Sequence, residues 1–235
     1  CGFNVSEITS QIHNVASLSI SRDVAFDVVA FEKYNLGANS TLVFNSDLFD
    51  INKLIRTKFA GTWNPKRIAM VSSYPYPPQF LSWMRDLFEN PEPFIVAVRK
   101  ELSEHDIHGV NIDFEPAGGN ATTADATKYA RFLRKLKLAL AMDGRVVTVA
   151  ASIWSQVWNL TEMAEALRPE PPMSIPGYAT MMNTYTYTNK TFNEQLERDV
   201  ATFTGAPHRG ELVVGMETWP KTNETDAEIS EHFAH

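Results

Sequence analysis

Three polar side chains alternate with apolar ones near the middle of the chain. Asn111, Asp113 and Glu115 are separated by Ile112 and Phe114. Because successive side chains of a strand point to opposite faces, the three polar groups share one face. Two carboxylates placed about 6 to 7 Å apart on a buried face must share a proton or find partners, which drives their pKa values apart. A protonated carboxyl group beside an ionised one is what general acid/base catalysis requires.

Strands and helices alternate around this segment. Short β-branched runs predict strands, and apolar residues at helical spacing predict helices between them. This alternation implies a parallel sheet, and the lack of a Gly-x-Gly-x-x-Gly motif favours a (β/α)8 TIM barrel over a dinucleotide-binding fold. The predicted strands cover 67–73, 109–115, 146–151, 179–185 and 211–217, and the predicted helices cover 80–87, 93–105, 123–142, 159–167 and 192–203.

The covering helices decide between two interpretations of the polar strand. In an antiparallel sheet the polar face of such a strand would simply meet water. Here the strand follows one helix and precedes another, so both of its faces should be covered and the carboxylates should point into the barrel. Glu115 then lies at the carboxyl end of its strand, where barrel enzymes keep their catalytic groups.

The N-terminal part of the sequence leaves two strand counts open. Residues 15–20 and 24–31 both fit strands. They would be strands one and two of the barrel, or residues 15–20 would be strand two with an excursion of the chain after it. In both counts the sequence ends in a helix over 227–235, after strand seven. A closing eighth strand is missing, so we expect a single partial barrel domain over 1–235. It would be a fragment, or a barrel completed by another chain or by residues outside this sequence.

Composition excludes several classes of function. The 235 residues are 44% apolar and carry 21 basic against 28 acidic side chains, a net charge of −7 without a basic cluster, which argues against a nucleic-acid partner. No apolar run is long enough to span a bilayer, and residues 1–4 lack the order of a secretion signal. Cys1 is the only cysteine, so we expect any disulfide partner to lie outside this chain.

Six Asn-x-Ser/Thr triplets indicate the compartment. Such triplets accept N-linked glycans in secreted proteins, and they are more numerous here than chance predicts. The sequence therefore predicts an extracellular or lumenal glycoprotein of the secretory pathway, lysosome included, against the simpler interpretation that Asn and Thr crowd the loops. The acceptors would be Asn4, Asn39, Asn120, Asn159, Asn189 and Asn223.

Residues 109–116, Gly-Val-Asn-Ile-Asp-Phe-Glu-Pro, resemble the fourth-strand signature of glycoside hydrolase family 18, Asp-Gly-x-Asp-x-Asp-x-Glu. That family contains chitinases and endo-β-N-acetylglucosaminidases. His108 stands in place of the leading Asp, and Asn111 replaces the first Asp of the run, as in the di-N-acetylchitobiase branch. The similarity covers about 60–220: residues 66–73 resemble the third strand, 183–185 the sixth and 211–219 the seventh.

The resemblance implies a retaining hydrolase assisted by the substrate's own N-acetyl group. Glu115 would protonate the leaving glycosidic oxygen and then activate water. Asp113 would orient the acetamido group and stabilise the oxazolinium cation, with Tyr185 donating a hydrogen bond to the acetamido oxygen. Asn111 would hold Asp113 in place. The expected substrate is a β-1,4-linked N-acetylglucosamine glycan, either chitin or an N-glycan core, and the mechanism needs no metal or cofactor.

Aromatic side chains follow the predicted strands on the side where the catalytic groups are expected. A single aromatic residue is more often packed in a core, but a set at strand ends indicates a cleft that stacks on sugar rings. These aromatics are Tyr74, Tyr76, Trp154, Trp158, Tyr187 and Trp219. The substrate-binding candidates are Tyr74, Trp154, Asn183, Glu217 and Trp219. His105 and His108, near Glu101 and Glu104, fit solvated histidines better than metal ligands.

Two other classes of function remain open at this stage. Four predicted glycan acceptors would surround the mouth of the barrel, and several family motifs are altered. Both features favour a non-catalytic glycan-binding or structural module of an extracellular assembly. Asp113 and Glu115 are retained, which favours the hydrolase. A barrel lyase or phosphodiesterase that uses the carboxylates as metal ligands would instead be sensitive to chelators.

Overall fold

The computed structural model describes residues 5–21, 26–45, 50–116, 120–152, 155–169, 178–181 and 211–214, with single positions at 194, 197 and 201. Within these residues, seven strands form one sheet in the order β2-β1-β3-β4-β5-β6-β7, in which β2 is antiparallel to β1 and all other neighbours are parallel. The strands are β1 Val28–Gly37, β2 Thr41–Phe44, β3 Lys66–Ser72, β4 Gly109–Asp113, β5 Val146–Ala151, β6 Tyr178–Met181 and β7 Glu211–Val214.

Helices connect the parallel strands. Two helices lie between β3 and β4, and one lies in each of the next two connections, as in a (β/α) barrel. The fold is therefore a partial TIM barrel, as the strand-helix alternation predicted. The helices are α1 Val5–Ser21, α2 Ile51–Lys58, α3 Phe80–Glu89, α4 Glu92–Glu104, α5 Thr123–Ala141 and α6 Leu160–Leu167. No helix in the described part of the chain is long and apolar enough to cross a bilayer.

The outer face of β4 packs against the helices. Ile112 and Phe114 are fully buried there. The Phe114 ring lies 5.5 Å from Phe80 of α3, and it stacks on Tyr129 and Phe132 of α5 at 6.1 and 6.4 Å. Burying side chains of this size stabilises the fold by roughly 2 to 3 kcal/mol each. Because the apolar face of β4 is covered by helices, its polar face must point into the barrel.

The prediction of a strand over 15–20 is wrong, because this segment belongs to α1. Apolar residues there alternate with serines, which imitates the two-residue period of a strand. Ile12 and Ala16 are four residues apart and share a helix face instead. Ala16 is fully buried in a cluster with Phe59 and Trp63 beside α2, and this packing favours the helix. The described part of the chain therefore has one parallel strand before β3, where the sequence predicted up to two.

Side-chain caps fix where α5 begins after the loop that follows β4. The hydroxyl of Thr122 accepts a hydrogen bond from the backbone N–H of Asp125, and the Asp125 carboxylate accepts one from the backbone N–H of Thr122. Arg85 of α3 donates two hydrogen bonds of 2.9 Å to the same carboxylate. The start of α5 is thereby tied to α3 beside the loop that carries Asn120.

Candidate active site

Asn111 and Asp113 lie on the inner face of β4, and Glu115 follows the strand. Asn111 is 5% exposed, and its amide donates a 2.7 Å hydrogen bond to the Thr148 hydroxyl of β5. Asp113 pairs in register with Ser72 of β3. The backbone N–H of Glu115 donates a 3.2 Å hydrogen bond to the Ser73 hydroxyl. The structure thus places the three polar residues together at the carboxyl end of the sheet.

Two buried oxygens in this group lack a hydrogen-bond partner. Asn111 Oδ1 and Asp113 Oδ1 are buried, and neither has a partner among the described residues. A buried acceptor without a partner destabilises a fold by about 1 to 3 kcal/mol, so such atoms are rare unless a ligand uses them. Both oxygens are therefore candidates for contacts with a bound molecule.

The environment of Asp113 favours its protonated form. Burial above all, and then the negative charges of Glu115 and Glu32, together raise the pKa of Asp113 to about 7. Asp113 therefore keeps its proton up to about neutral pH, on the same face as Glu115. A proton held in this way is available for transfer to a bound substrate.

Tyr74 and Tyr76 form an aromatic edge beside Glu115. Their rings meet edge to face with centroids 6.1 Å apart, and both side chains are about half exposed. The amide of Asn35 donates a hydrogen bond to the Tyr74 carbonyl, and the Tyr76 N–H donates a 2.8 Å bond to the Ser73 carbonyl. These bonds hold Tyr76 at a φ of 61°, a strained conformation for a residue with a side chain.

The Tyr76 side chain also reaches the catalytic candidate itself. Partial burial, the charge of Glu115 and a hydrogen bond with Glu115 raise the pKa of Tyr76 to about 12. The phenol therefore stays protonated and donates its hydrogen bond to the Glu115 carboxylate. Sequence reasoning noted Tyr76 only as one aromatic residue after a strand, because the turn that brings it to Glu115 has no sequence signature.

Glu32 of β1 is a third carboxylate on the inner face, and sequence reasoning missed it. Its strand was predicted to end at residue 31, whereas β1 extends to Gly37. Glu32 pairs with Met70 of β3, which in turn pairs with Asn111 of β4. Only the observed extent and register of β1 place it near Asp113, so periodicity alone could not find it.

Several predicted site residues lie outside the described residues. These are Tyr185, Asn183, Trp154, Glu217 and Trp219, together with Cys1 and the glycan acceptors Asn4, Asn189 and Asn223. Trp158 is 5% exposed and packs in the core, so it does not belong to the mouth of the barrel. Core packing of a lone aromatic residue explains this difference.

Three predicted glycan acceptors are described. Asn39 and Asn120 are exposed. Asn159 is partly exposed and caps α6 by accepting a hydrogen bond from the Glu162 N–H. Asn120 and Asn159 lie between the carboxyl end of a strand and the next helix, on the side of the sheet that carries Glu115. Attached glycans would therefore border the same end of the barrel.

A separate polar network lies at the amino end of the sheet. Arg67 is 3% exposed and donates to Asn52 at 2.9 Å, Asn64 at 2.7 Å and Asp106 at 3.0 Å. His108, expected to be solvated, is partly buried, and its Nδ1 accepts a 3.1 Å hydrogen bond from the Arg67 N–H. The described residues contain no cluster of three or more metal-ligating side chains.

Neither a protein-family model nor a curated protein matches the chain, but solved structures do. A chitinase from Chromobacterium violaceum superimposes with a TM-score of 0.63 and 15% identity, over 85% of this chain and 64% of that one. The spore cortex-lytic enzyme SleL of Bacillus megaterium gives 0.65 and 12%, over 88% and 46%. The class V chitinase of Nicotiana tobaccum gives 0.58 and 15%, over 81% and 60%.

This chain spans about half to two thirds of the length of those three proteins. The superposition covers most of this chain. At such low sequence identity the likeness concerns the fold. The chain has the barrel fold found in these chitinases.

Proposed function

We propose that the chain is the catalytic part of a glycoside hydrolase that cleaves β-1,4-linked N-acetylglucosamine glycans, chitooligosaccharide or N-glycan core. The observation that carries this proposal is the largely buried Asp113, which keeps its proton near neutral pH beside Glu115 at the carboxyl end of a barrel strand. Barrel enzymes hold their catalytic groups at this end, and the fold is the one found in chitinases.

The shared proton serves the bond-breaking step. Glu115 receives it from Asp113 and delivers it to the glycosidic oxygen, and the acetamido oxygen of the substrate attacks the anomeric carbon as the bond to the leaving sugar breaks. The pair then carries two negative charges, and the substrate has become a singly positive oxazolinium ion beside a neutral leaving sugar. Water deprotonated by Glu115 attacks that cation, and the proton returns to the pair.

Asn111 and Asp113 position the reacting acetamido group. The hydrogen bond from the Asn111 amide to Thr148 fixes that side chain, and among the described residues its buried oxygen has no partner. The unpartnered oxygen of Asp113 accepts the acetamido N–H of the substrate, which turns the acetamido oxygen toward the anomeric carbon. Tyr185 would donate to that oxygen, as the resemblance implies. Once ionised, Asp113 stabilises the cation.

The aromatic edge formed by Tyr74 and Tyr76 contacts the sugar chain beside the reacting bond. Sugar rings expose C–H groups on their faces, and half-exposed aromatic rings at a cleft bury those groups well. The hydrogen bond from Tyr76 to Glu115 places this edge next to the acid. Trp154, Asn183, Glu217 and Trp219 are further candidates for substrate contacts, as predicted from the sequence.

The compartment proposed for this activity is the lumen of the secretory pathway, the lysosome or the extracellular space. Asn39, Asn120 and Asn159 are accessible enough to accept glycans in such a compartment. Treatment of the secreted protein with an endoglycosidase should lower its mass by several glycan units. An unchanged mass would remove this part of the proposal.

Release of a chromogenic leaving group from aryl chitobiosides and from N-glycan-core substrates tests the activity. Glu115→Gln should lower kcat about 10³-fold, the contribution of a general acid. The matched control is Glu104→Gln, since Glu104 is an exposed residue of α4 paired with Lys100 on the outside of the barrel. Binding of chitooligosaccharide without turnover, unaffected by Glu115→Gln, would instead indicate a non-catalytic glycan-binding module, and turnover abolished by chelators would indicate metal-dependent chemistry.

A further inference from the structure

Glu32 shares the inner face of the sheet with the carboxylate pair. Through Met70 it lies in the same row of register partners as Asn111, two strands away. Its neighbour Phe31 points the other way and is 3% exposed in the helix-covered core. The Glu32 side chain itself remains accessible to solvent, so it borders the open interior of the barrel.

The charge of Glu32 reaches the reacting groups. It acts on both Asp113 and Tyr76, and partial burial raises the pKa of Glu32 itself. In the described residues, the ionisable groups that interact with Asp113 are Glu115 from β4, Glu32 from β1, Tyr76 from the segment after β3 and Tyr129 from α5. Both tyrosines stay neutral at physiological pH, so Glu32 and Glu115 are the two sources of negative charge.

Asn111 cannot add a charge to this group. The family signature that residues 109–116 resemble has an aspartate at that position. Asn111 is neutral, and its amide donates a hydrogen bond to the Thr148 hydroxyl. We propose that Glu32 is a positioning residue that supplies, from β1, the negative charge that the neutral Asn111 does not supply, and thereby helps the Asp113–Glu115 pair retain its catalytic proton. This inference rests on the proposed function and adds a residue to it.

The test compares Glu32→Gln with wild type in two ways. Carbon-13 NMR of the Asp113 carboxyl should show its titration midpoint moving to lower pH, because a like charge that disfavours ionisation has been removed. Glu115→Gln should move the midpoint further, because the charge of Glu115 acts on Asp113 more strongly than the charge of Glu32 does. Glu104→Gln should not move it. In the pH profile of kcat/KM, the alkaline limb should move down together with the midpoint, and kcat at pH 7 should fall by less than about tenfold.

A rescue variant separates the charge from the side chain that carries it. In the Glu32→Gln background, Asn111→Asp restores a carboxylate next to Asp113 and should move the midpoint and the alkaline limb back to higher pH. A midpoint that Glu32→Gln leaves unmoved would overturn the inference, as would a rescue variant that leaves it low. If the wild-type protein hydrolyses none of the glycans, the proposed function fails, whereas the NMR comparison still decides the role of Glu32.

Discussion

The two ends of the sheet treat buried polar groups in opposite ways. At the amino end, the guanidinium of Arg67 directs each of its N–H groups to an acceptor, and its main contacts are Asn52, Asn64 and Asp106. At the carboxyl end, Asn111 and Asp113 each leave a buried oxygen without a partner in the described part of the chain. Both regions are polar, and only one has unused hydrogen-bonding capacity.

This difference indicates that the Arg67 network stabilises the fold, whereas Asn111 and Asp113 are candidates for binding a ligand. A satisfied network repays the desolvation of its groups and stabilises the native state. An unsatisfied buried carboxyl group destabilises it and persists where it serves chemistry. A hollow of about 390 Å³ borders Arg67 at the amino end, but the charged groups that line it already bond to one another or to backbone.

Arg67→Met should give the largest change in stability. The substitution leaves the oxygen of the buried Asn52 without its donor and removes the other hydrogen bonds of the buried guanidinium, so the free energy of unfolding should fall by about 3 kcal/mol. Urea denaturation measures it, with the exposed Arg168→Met as the control. The alkaline limb of the pH profile should keep its position, because Arg67 lies at the opposite end of the barrel. A loss below about 1 kcal/mol would mean that the network does not stabilise the fold.

Asp113→Asn should increase stability, but only at high pH. The raised pKa means that the folded protein holds a proton on Asp113 between pH 3.8 and about 7 that the unfolded chain has lost. Wild-type stability therefore falls as pH rises through this window, and the neutral Asn avoids that loss. At pH 8 the variant should be more stable by an amount on the order of 2 kcal/mol, with no gain at pH 3. Equal stability at both pH values would contradict a buried, unsatisfied Asp113.

Tyr76→Phe should have the smallest effect on stability, less than about 0.5 kcal/mol, because the side chain is half exposed. Its effect should appear in the pH profile. The phenol donates a hydrogen bond that favours the ionised pair, so its removal should move the alkaline limb to higher pH, opposite to the effect of Glu32→Gln. Tyr74→Phe is the matched control. A limb that moves down or stays in place would mean that Tyr76 does not donate to Glu115.

The centre of the fold was predictable from the sequence because local and tertiary preferences agree there. The strand at 146–151, the helices from Phe80 and Thr123, and the inward face of β4 all follow from apolar periodicity. Ile112 and Phe114 are buried on the outer face of that strand, and the alternating polar residues must therefore face the interior of the barrel.

The parts that escaped prediction depend on contacts between distant segments. The alternating serines in 15–20 produce the pattern of a strand. The segment forms a helix because Ala16 packs against residues of α2, which local periodicity does not reveal. The position of Glu32 depends on where β1 ends and on its pairing with β3, and that register contains an irregularity after Glu32. Tyr76 meets Glu115 through a turn held by Asn35 and Ser73, and no local sequence pattern encodes a turn fixed by another strand.

A carbon-13 NMR titration of the Asp113 carboxyl in the wild-type protein tests the central claim most directly. If Asp113 is a largely buried carboxyl group with one oxygen that has no partner among the described residues, its midpoint should lie near pH 7. A midpoint close to the ordinary value of 3.8 would show that Asp113 is solvated or paired with a positive charge, and the proton needed for glycoside cleavage would not be stored there.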